Sequence, residues 1–304
     1  MKILVVGAGA TGGYFGAKLA QAGRDVTFLV RPRRAEVLRD RGLRIIEPDG
    51  ESVLHPTLVE TGGITGTYDL VLLSVKATAL AAAIEDFTPA VGPDTLILPV
   101  LNGMTHIDVL EDHFGPAAVL GGVAKVVTTV DGNGDIVRIG GPHVLTYGTR
   151  STPAPPALAE VHHALSDAGF DSAVSEDITQ EMWAKWAFIT ATGAITSLMR
   201  GSIGEVMAAP GGQDFAAAVV AEASAIVAGA GHPMTDKEHE FLRVVATTPG
   251  SPFTSSLYRD LVAGQSVEVE HLFGEFVALA DHLGVPVPLL RLTTTALRVH
   301  QARI

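Results

Sequence analysis

The opening residues constrain the fold more than any other part of the chain. Lys2-Ile3-Leu4-Val5-Val6 is a short, mostly apolar run, Gly7-Ala8-Gly9-Ala10-Thr11-Gly12 follows at once, and an alanine-rich helical stretch, Tyr14 to Ala22, comes next. Strand, glycine turn and helix in that order is the setting in which G-x-G-x-x-G carries meaning. Gly7 lets the chain turn sharply, Gly9 leaves the backbone bare for a close ligand, and Gly12 lets the helix pack on the strand. The free N–H groups and positive end of the helix then suit a pyrophosphate. Residues 7–12 (Gly7, Ala8, Gly9, Ala10, Thr11 and Gly12) are therefore expected to hold a dinucleotide. The plainer reading, a glycine-rich turn in a doubly wound domain without cofactor, stays open.

The alternation continues. Asp25 to Val30 reads as a second strand, Arg33 to Arg41 as a short helix, and Leu43 to Ile46 with Ser52 to Leu58 as a hairpin around Pro48-Asp49-Gly50. Asp69 to Val75 and Thr95 to Leu101 are near-continuous apolar runs, as strands buried on both faces would be. Ala77 to Phe87 is helical. Val119 to Val130, Asp135 to Ile139 and His143 to Tyr147 read as strands, and Pro153 to Ala168 as a helix. Beyond Gly169-Phe170-Asp171 the pattern is helical: Thr179 to Met199, Gln213 to Ala230, Asp236 to Ala246, Val267 to Leu283 and Leu289 to His300, with Gly231-His232-Pro233 and Gly284-Val285-Pro286 as stops. The expected architecture is an α/β Rossmann-type doubly wound sheet over residues 1–170, binding the cofactor, and an all-α substrate or dimerisation domain over residues 171–304.

A chain of 304 residues that is 47% hydrophobic and 18% charged has ample material for two cores, which argues against wholesale disorder. A net charge of −12 excludes a general nucleic-acid binder. With no cysteine, disulfides, thiolate catalysis and thiolate-held metals are excluded. No signal peptide is read ahead of the first strand, and Phe215 to Gly231 is interrupted by Glu222, so neither export nor a membrane span is expected. A cytoplasmic setting fits. His162, His163 and His232 show no metal-like arrangement, and no metal is expected.

In NAD-selective domains an acidic residue closes the second strand. Here Val30-Arg31 closes it, followed by Pro32-Arg33-Arg34, while Asp25 lies at the wrong end. Arginine at this place suits a ribose 2′-phosphate, so NADP(H) is the expected cofactor and Arg31 its main ligand; a solvated basic start to a helix is the alternative. Lys76 and Asn102 fall at the carboxyl ends of strands, where ligands sit in an open parallel sheet. Lys185 stands in an otherwise apolar helix, and Glu268 opens a later one.

Together these residues resemble the ketopantoate reductase family (2-dehydropantoate 2-reductases) along essentially the whole chain. The likeness rests on the glycine fingerprint, Arg31, Ser74-Val75-Lys76-Ala77, Leu101-Asn102-Gly103-Met104, Glu181-Met182-Trp183-Ala184-Lys185, Ser256 and Glu268. It implies reduction of a 2-oxo acid by NADPH, as in pantothenate biosynthesis. In the roles it implies, Lys185 is the general acid, Glu268 orients it or the substrate, and Asn102 sits beside the nicotinamide. Ser256 binds the substrate, and Lys76 and Arg31 contact the cofactor. The chemistry agrees: hydride addition puts negative charge on the ketone oxygen, and an ammonium stabilises that charge and donates a proton. Desolvation disfavours an ammonium and a carboxylate neighbour favours it, so Lys185 and Glu268 are expected to balance.

Each residue also has a structural reading: a snorkelling Lys185, a helix-start Glu268, a turn-forming Asn102, a capping Ser256 and a surface Lys76. The chain departs from the family where asparagines typically stand four, eight and eighteen residues after the lysine; here these are Ile189, Gly193 and Ile203. That loss points away from ketopantoate, and Arg200 is a substitute carboxylate ligand. The competing expectations are a reductase of a different ketone, a dehydrogenase running toward oxidation, and a non-catalytic NADP(H)-binding sensor or scaffold. Alanine-rich helices are compatible with a homodimer.

Overall fold

A computed structural model describes all residues, 1–304. The chain separates into two compact units, residues 1–101 with 106–179, and residues 102–105 with 180–304.

In the first unit, β1 (Lys2–Val6) leads through α1 (Ala10–Gln21) to β2 (Asp25–Leu29), then α2 (Pro32–Arg41), β3 (Leu43–Glu47), β4 (Gly50–Leu54) and β5 (Thr57–Val59). Then come β6 (Tyr68–Leu73), α3 (Leu80–Phe87), β7 (Val91–Pro99), α4 (Thr105–Phe114), β8 (Leu120–Val130), β9 (Ile136–Thr149), α5 (Leu158–Leu165) and β10 (Asp171–Val174). One five-stranded sheet has the order β5-β2-β1-β6-β7, every pairing parallel. The chain runs outward from β1 to one side, then resumes on the other side at β6. The carboxyl end of β1, where the strand order reverses, is the usual ligand position in an open α/β sheet. Leu70 to Leu73 and Leu96 to Leu98 are buried, as their unbroken apolar runs require.

A second sheet, β10-β9-β3-β4 with β8 paired to β9, was only partly foreseen. The expected hairpin arm Ser52 to Leu58 is two strands. β4 pairs antiparallel with β3, and β5 pairs in the parallel sheet with β2; His55-Pro56 separates them, and proline has no N–H for either ladder. The two strands expected over 135–147 are one, β9, whose register against β8 shifts beside Gly140 and Gly141, both at positive φ. Because β10 pairs with β9 and Ser175 N–H donates to the Tyr147 carbonyl, the boundary moves from 170 to between Thr179 and Gln180. Periodicity missed β10 because four residues of mixed polarity carry no strand pattern.

The second unit contains α6 (Ile178–Met199), α7 (Ile203–Ala208), α8 (Gly212–Gly229), α9 (Asp236–Thr247), α10 (Ser256–Val262), a π turn (Glu270–Gly274), α11 (Glu275–Leu283) and α12 (Pro288–Gln301). α6 is apolar on most sides and runs buried from Thr190 to Ser197, as a central helix should. α7 and α9 open with capping boxes, Ser202 with Glu205 and Thr235 with Glu238. Glu222, the charge that interrupts an apolar run, accepts from Leu289 N–H at 3.0 Å and Leu290 N–H at 2.9 Å and so caps α12. No helix is long and apolar enough to cross a membrane.

Candidate functional site

The glycine loop shows why three of its residues lack side chains. Gly7 sits at φ +97°, and a Cβ there would lie 2.5 Å from the Ser74 carbonyl oxygen. A Cβ at Gly12 would overlap the Gly7 carbonyl and lie 2.7 Å from Ser74 Cβ. Gly9 differs: nothing lies within 4 Å of its would-be Cβ. It is exposed at the N-cap of α1, and no side chain caps that helix. The first N–H groups of α1 thus face an open surface beside Gly9 with no acceptor supplied by a capping side chain, a fit for phosphate oxygens. Ala8 is buried against the core, Ala10 and Thr11 are half-buried in the first turn, and Lys76 is exposed after β6.

Arg31 is exposed at the N-cap of α2, where β2 ends. β2 is followed by Val30, Arg31 and Pro32 and by no carboxylate of its own, and Glu60, which follows the neighbouring β5, pairs with Arg39 at 2.6 Å. Arg34, three residues after Arg31, has another task. Its Nε donates to the Ala8 carbonyl at 3.2 Å and its Nη1 to the Gly134 carbonyl at 2.8 Å. Burial holds its pKa below the ordinary arginine value, against the opposing pull of Asp135. Arg34 braces the glycine loop; the one available sequence cue was its place one helical turn after Arg31.

In the second unit the stretch from Glu268 to Glu275 gathers several candidates. Trp186, the residue after Lys185, donates Nε1–H to the Leu272 carbonyl at 3.1 Å. This ties the lysine's helix to the π turn, a feature frequent at functional sites. Lys185 and Glu268 are each half-buried. Asn102, also half-buried, belongs with this unit, and its main-chain oxygen accepts from His271 Nε2. The other ring nitrogen of His271, Nδ1, lies 3.2 Å from Glu275 Oε1. Thr105 Oγ1 donates to Glu275 Oε2 at 2.6 Å. Burial opposes protonation of the His271 ring, but Glu275 and the Asn102 carbonyl outweigh it and the pKa is raised. Sequence reading passed over His271, since one histidine in Val269-Glu270-His271-Leu272 carries no pattern.

Ser256 and Arg200 are both exposed. The cap of α10 is Ser255, not Ser256: its buried Oγ accepts from Tyr258 N–H at 3.0 Å and lies 2.8 Å from Thr196 Oγ1. Arg200, at φ +56°, accepts from Tyr258 O–H at 3.0 Å through its main-chain oxygen. Ile189 and Gly193 follow Lys185 at four-residue steps, on one face of α6. A Cβ at Gly193 would meet Phe273 Cζ at 3.2 Å and Leu257 Cδ2 at 3.4 Å, so apolar groups already occupy the space around that position.

Residues 3–151 match the family described as Ketopantoate reductase PanE/ApbA, and residues 177–301 match Ketopantoate reductase PanE/ApbA C terminal. The chain belongs to the ketopantoate reductase family. Among its relatives, the uncharacterized oxidoreductase YkpB of Bacillus subtilis (strain 168) is 33% identical and aligned over 99% of both chains. The PanE/ApbA family ketopantoate reductase of Ralstonia eutropha JMP134 superposes with a TM-score of 0.88 at 26% identity, over 100% of this chain and 99% of that one. D-mandelate dehydrogenase, solved with NADH and anilino(oxo)acetate, shares the fold at a TM-score of 0.90 and 20% identity, over 100% of this chain and 99% of that one. As a member of the ketopantoate reductase family the chain is an oxidoreductase of a pyridine-nucleotide-dependent class.

Proposed function

We propose that this chain reduces a 2-oxo acid with NADPH. The observation that carries the reading is the open surface at Gly9 over the uncapped start of α1, in a chain of the ketopantoate reductase family. Residues 7–12 cradle the pyrophosphate, Arg31 pairs with the 2′-phosphate, and Lys76 contacts the cofactor. When bound, the nicotinamide supplies the hydride.

The protein's own part is orientation and proton supply. Lys185 Nζ donates a proton to the substrate oxygen as negative charge builds there. Glu268 orients that ammonium, and the Asn102 amide holds the lysine or the substrate in line. The exposed Ser256 and Arg200 are available to the substrate carboxylate.

The substrate's remaining part is apolar. Ile189, the packed surroundings of Gly193 and the fully buried Ile203 leave none of the amides that would pair a hydroxyl, and a site lacking them gives no reward for one. A panel of 2-oxo acids with NADPH tests both parts. Branched or aromatic 2-oxo acids are expected to give higher kcat/KM than ketopantoate. A preference for ketopantoate removes the apolar assignment. NADPH binding without turnover of any acid supports a non-catalytic sensor instead.

A further inference from the structure

His271 meets the Asn102 carbonyl, the Glu275 carboxylate and the Thr105 hydroxyl, which lies 3.5 Å from Nδ1 but gives its one proton to Glu275 at 2.6 Å. Nε2 faces the main-chain oxygen of Asn102, which can only accept. Nδ1 faces Glu275, whose carboxylate already accepts from Thr105 and, when ionised, can only accept as well. A neutral imidazole has one N–H and cannot serve both. The geometry therefore calls for a proton on each nitrogen.

The ring also sits tightly. It is 9% exposed, and a Cβ at Gly103 would lie 3.1 Å from its Nε2. Gly103 is at φ +82°, and the missing side chain leaves room for the Nε2 end of the ring that bonds Asn102. From Asn102 to Thr105 the segment is thus held at both ends: by His271 at the Asn102 carbonyl and by Glu275 at the Thr105 hydroxyl.

We propose that His271 is a positioning residue: a buried imidazolium that, with Glu275, clamps the Asn102–Thr105 segment onto the turn that follows Glu268 and so fixes the Asn102 amide. The catalytic consequence rests on the reductase reading above. Glu275 on α11 and Glu268, just before the π turn, are the carboxylates acting on the ring, and both favour its charge. The segment 102–105 itself brings no ionisable side chain. The carboxylate holds the Nδ1 proton, so the ring loses its Nε2 proton first; a lone pair then faces the Asn102 carbonyl oxygen, and the clamp opens. Rate should therefore fall on the alkaline side as the ring deprotonates, because small misplacements of an orienting group are costly.

The test uses the full chain and two variants, His271→Gln and Glu275→Gln. Ring-nitrogen NMR over pH 6 to 9, with the His271 signal assigned by its loss in H271Q, reads the charge directly. The wild-type ring is expected to keep both protons above the ordinary histidine pKa of about 6.5, and to lose one at lower pH in E275Q. With NADPH and a 2-oxo acid, H271Q should lose about ten- to a hundredfold in kcat and the alkaline limb of the wild-type profile, while NADPH affinity stays within about twofold. If H271Q does not fold, E275Q carries the kinetic comparison. A singly protonated wild-type ring at pH 7, or variant kcat values equal to wild type, overturns the clamp. Failure of the wild-type protein to reduce any 2-oxo acid sinks the reductase reading instead, and the ring titration then decides the clamp by itself.

Discussion

At the scale of single residues, the assignments separate by what each substitution should spare. Lys185→Ala removes the proposed proton donor and leaves residues 7–12 unchanged. It should cut turnover by about 10²–10⁴-fold while NADPH affinity, read from nicotinamide fluorescence, hardly moves. An active K185A protein would take the lysine out of the chemistry. Arg31→Ala does the reverse. The residue is exposed and sits where β2 ends, so its loss should weaken NADPH binding by about tenfold or more, the worth of one charge-assisted pair. NADH, which has no 2′-phosphate, should bind the variant as it binds the wild type. Equal losses for both nucleotides would show that Arg31 does not read the phosphate. Arg34→Ala is a different experiment, because that side chain holds the Ala8 and Gly134 carbonyls and its loss loosens the loop itself.

Secondary-structure elements meet at places where one atom too many is not tolerated. Gly12→Ala puts a methyl group against the Gly7 carbonyl and 2.7 Å from Ser74 Cβ, so α1 must lift from the strands beneath it. The expected cost is on the order of 1–3 kcal/mol, read as a lower urea midpoint, with weaker dinucleotide binding beside it. A variant as stable as wild type would mean the helix start has slack. This junction was legible in the sequence because its logic is local: six consecutive residues between a strand and a helix. The helices Asp236–Thr247 and Pro288–Gln301 were legible for the same reason, each following a local stop, Gly231-His232-Pro233 or Gly284-Val285-Pro286. What escaped reading depends on partners far away in the chain. β5 leaves its neighbour β4 to pair with β2, and β9 runs through two glycines because β8 supports it. Ser255 rather than Ser256 caps α10, a one-residue distinction set by the buried Thr196 opposite. His271 becomes notable only when residues 102 and 105 lie beside it.

For the whole molecule, pH should act on the two units in opposite directions. In the first unit Glu47 is the centre of a half-buried cluster: Lys18 Nζ is 2.5 Å away, Arg138 Nε 2.9 Å and the Tyr14 hydroxyl 3.0 Å. Burial favours the neutral acid, but hydrogen bonds from Lys18, Arg138 and Tyr14 outweigh it and lower the pKa. A depressed carboxylate stabilises the fold above its unfolded pKa, about 4.3, and that contribution is lost as pH falls through the folded value. In the second unit the raised pKa of His271 has the opposite sign. Its contribution is complete below the unfolded value of about 6.5 and disappears as pH rises through the folded one. Comparing wild type with Glu47→Gln should therefore show a stability difference that shrinks in acid, and comparing it with His271→Gln one that shrinks in alkali. Hydrogen exchange resolved by segment assigns each effect to its unit: residues around β3 and β9 for the first, the Glu270–Gly274 turn and α11 for the second. Because each cluster lies within one compact unit, acid should loosen the Rossmann sheets first and alkali the helical turn. Differences that stay constant from pH 3 to 9 for both variants would show that these groups are held by packing alone and that neither unit's stability is tied to their charge.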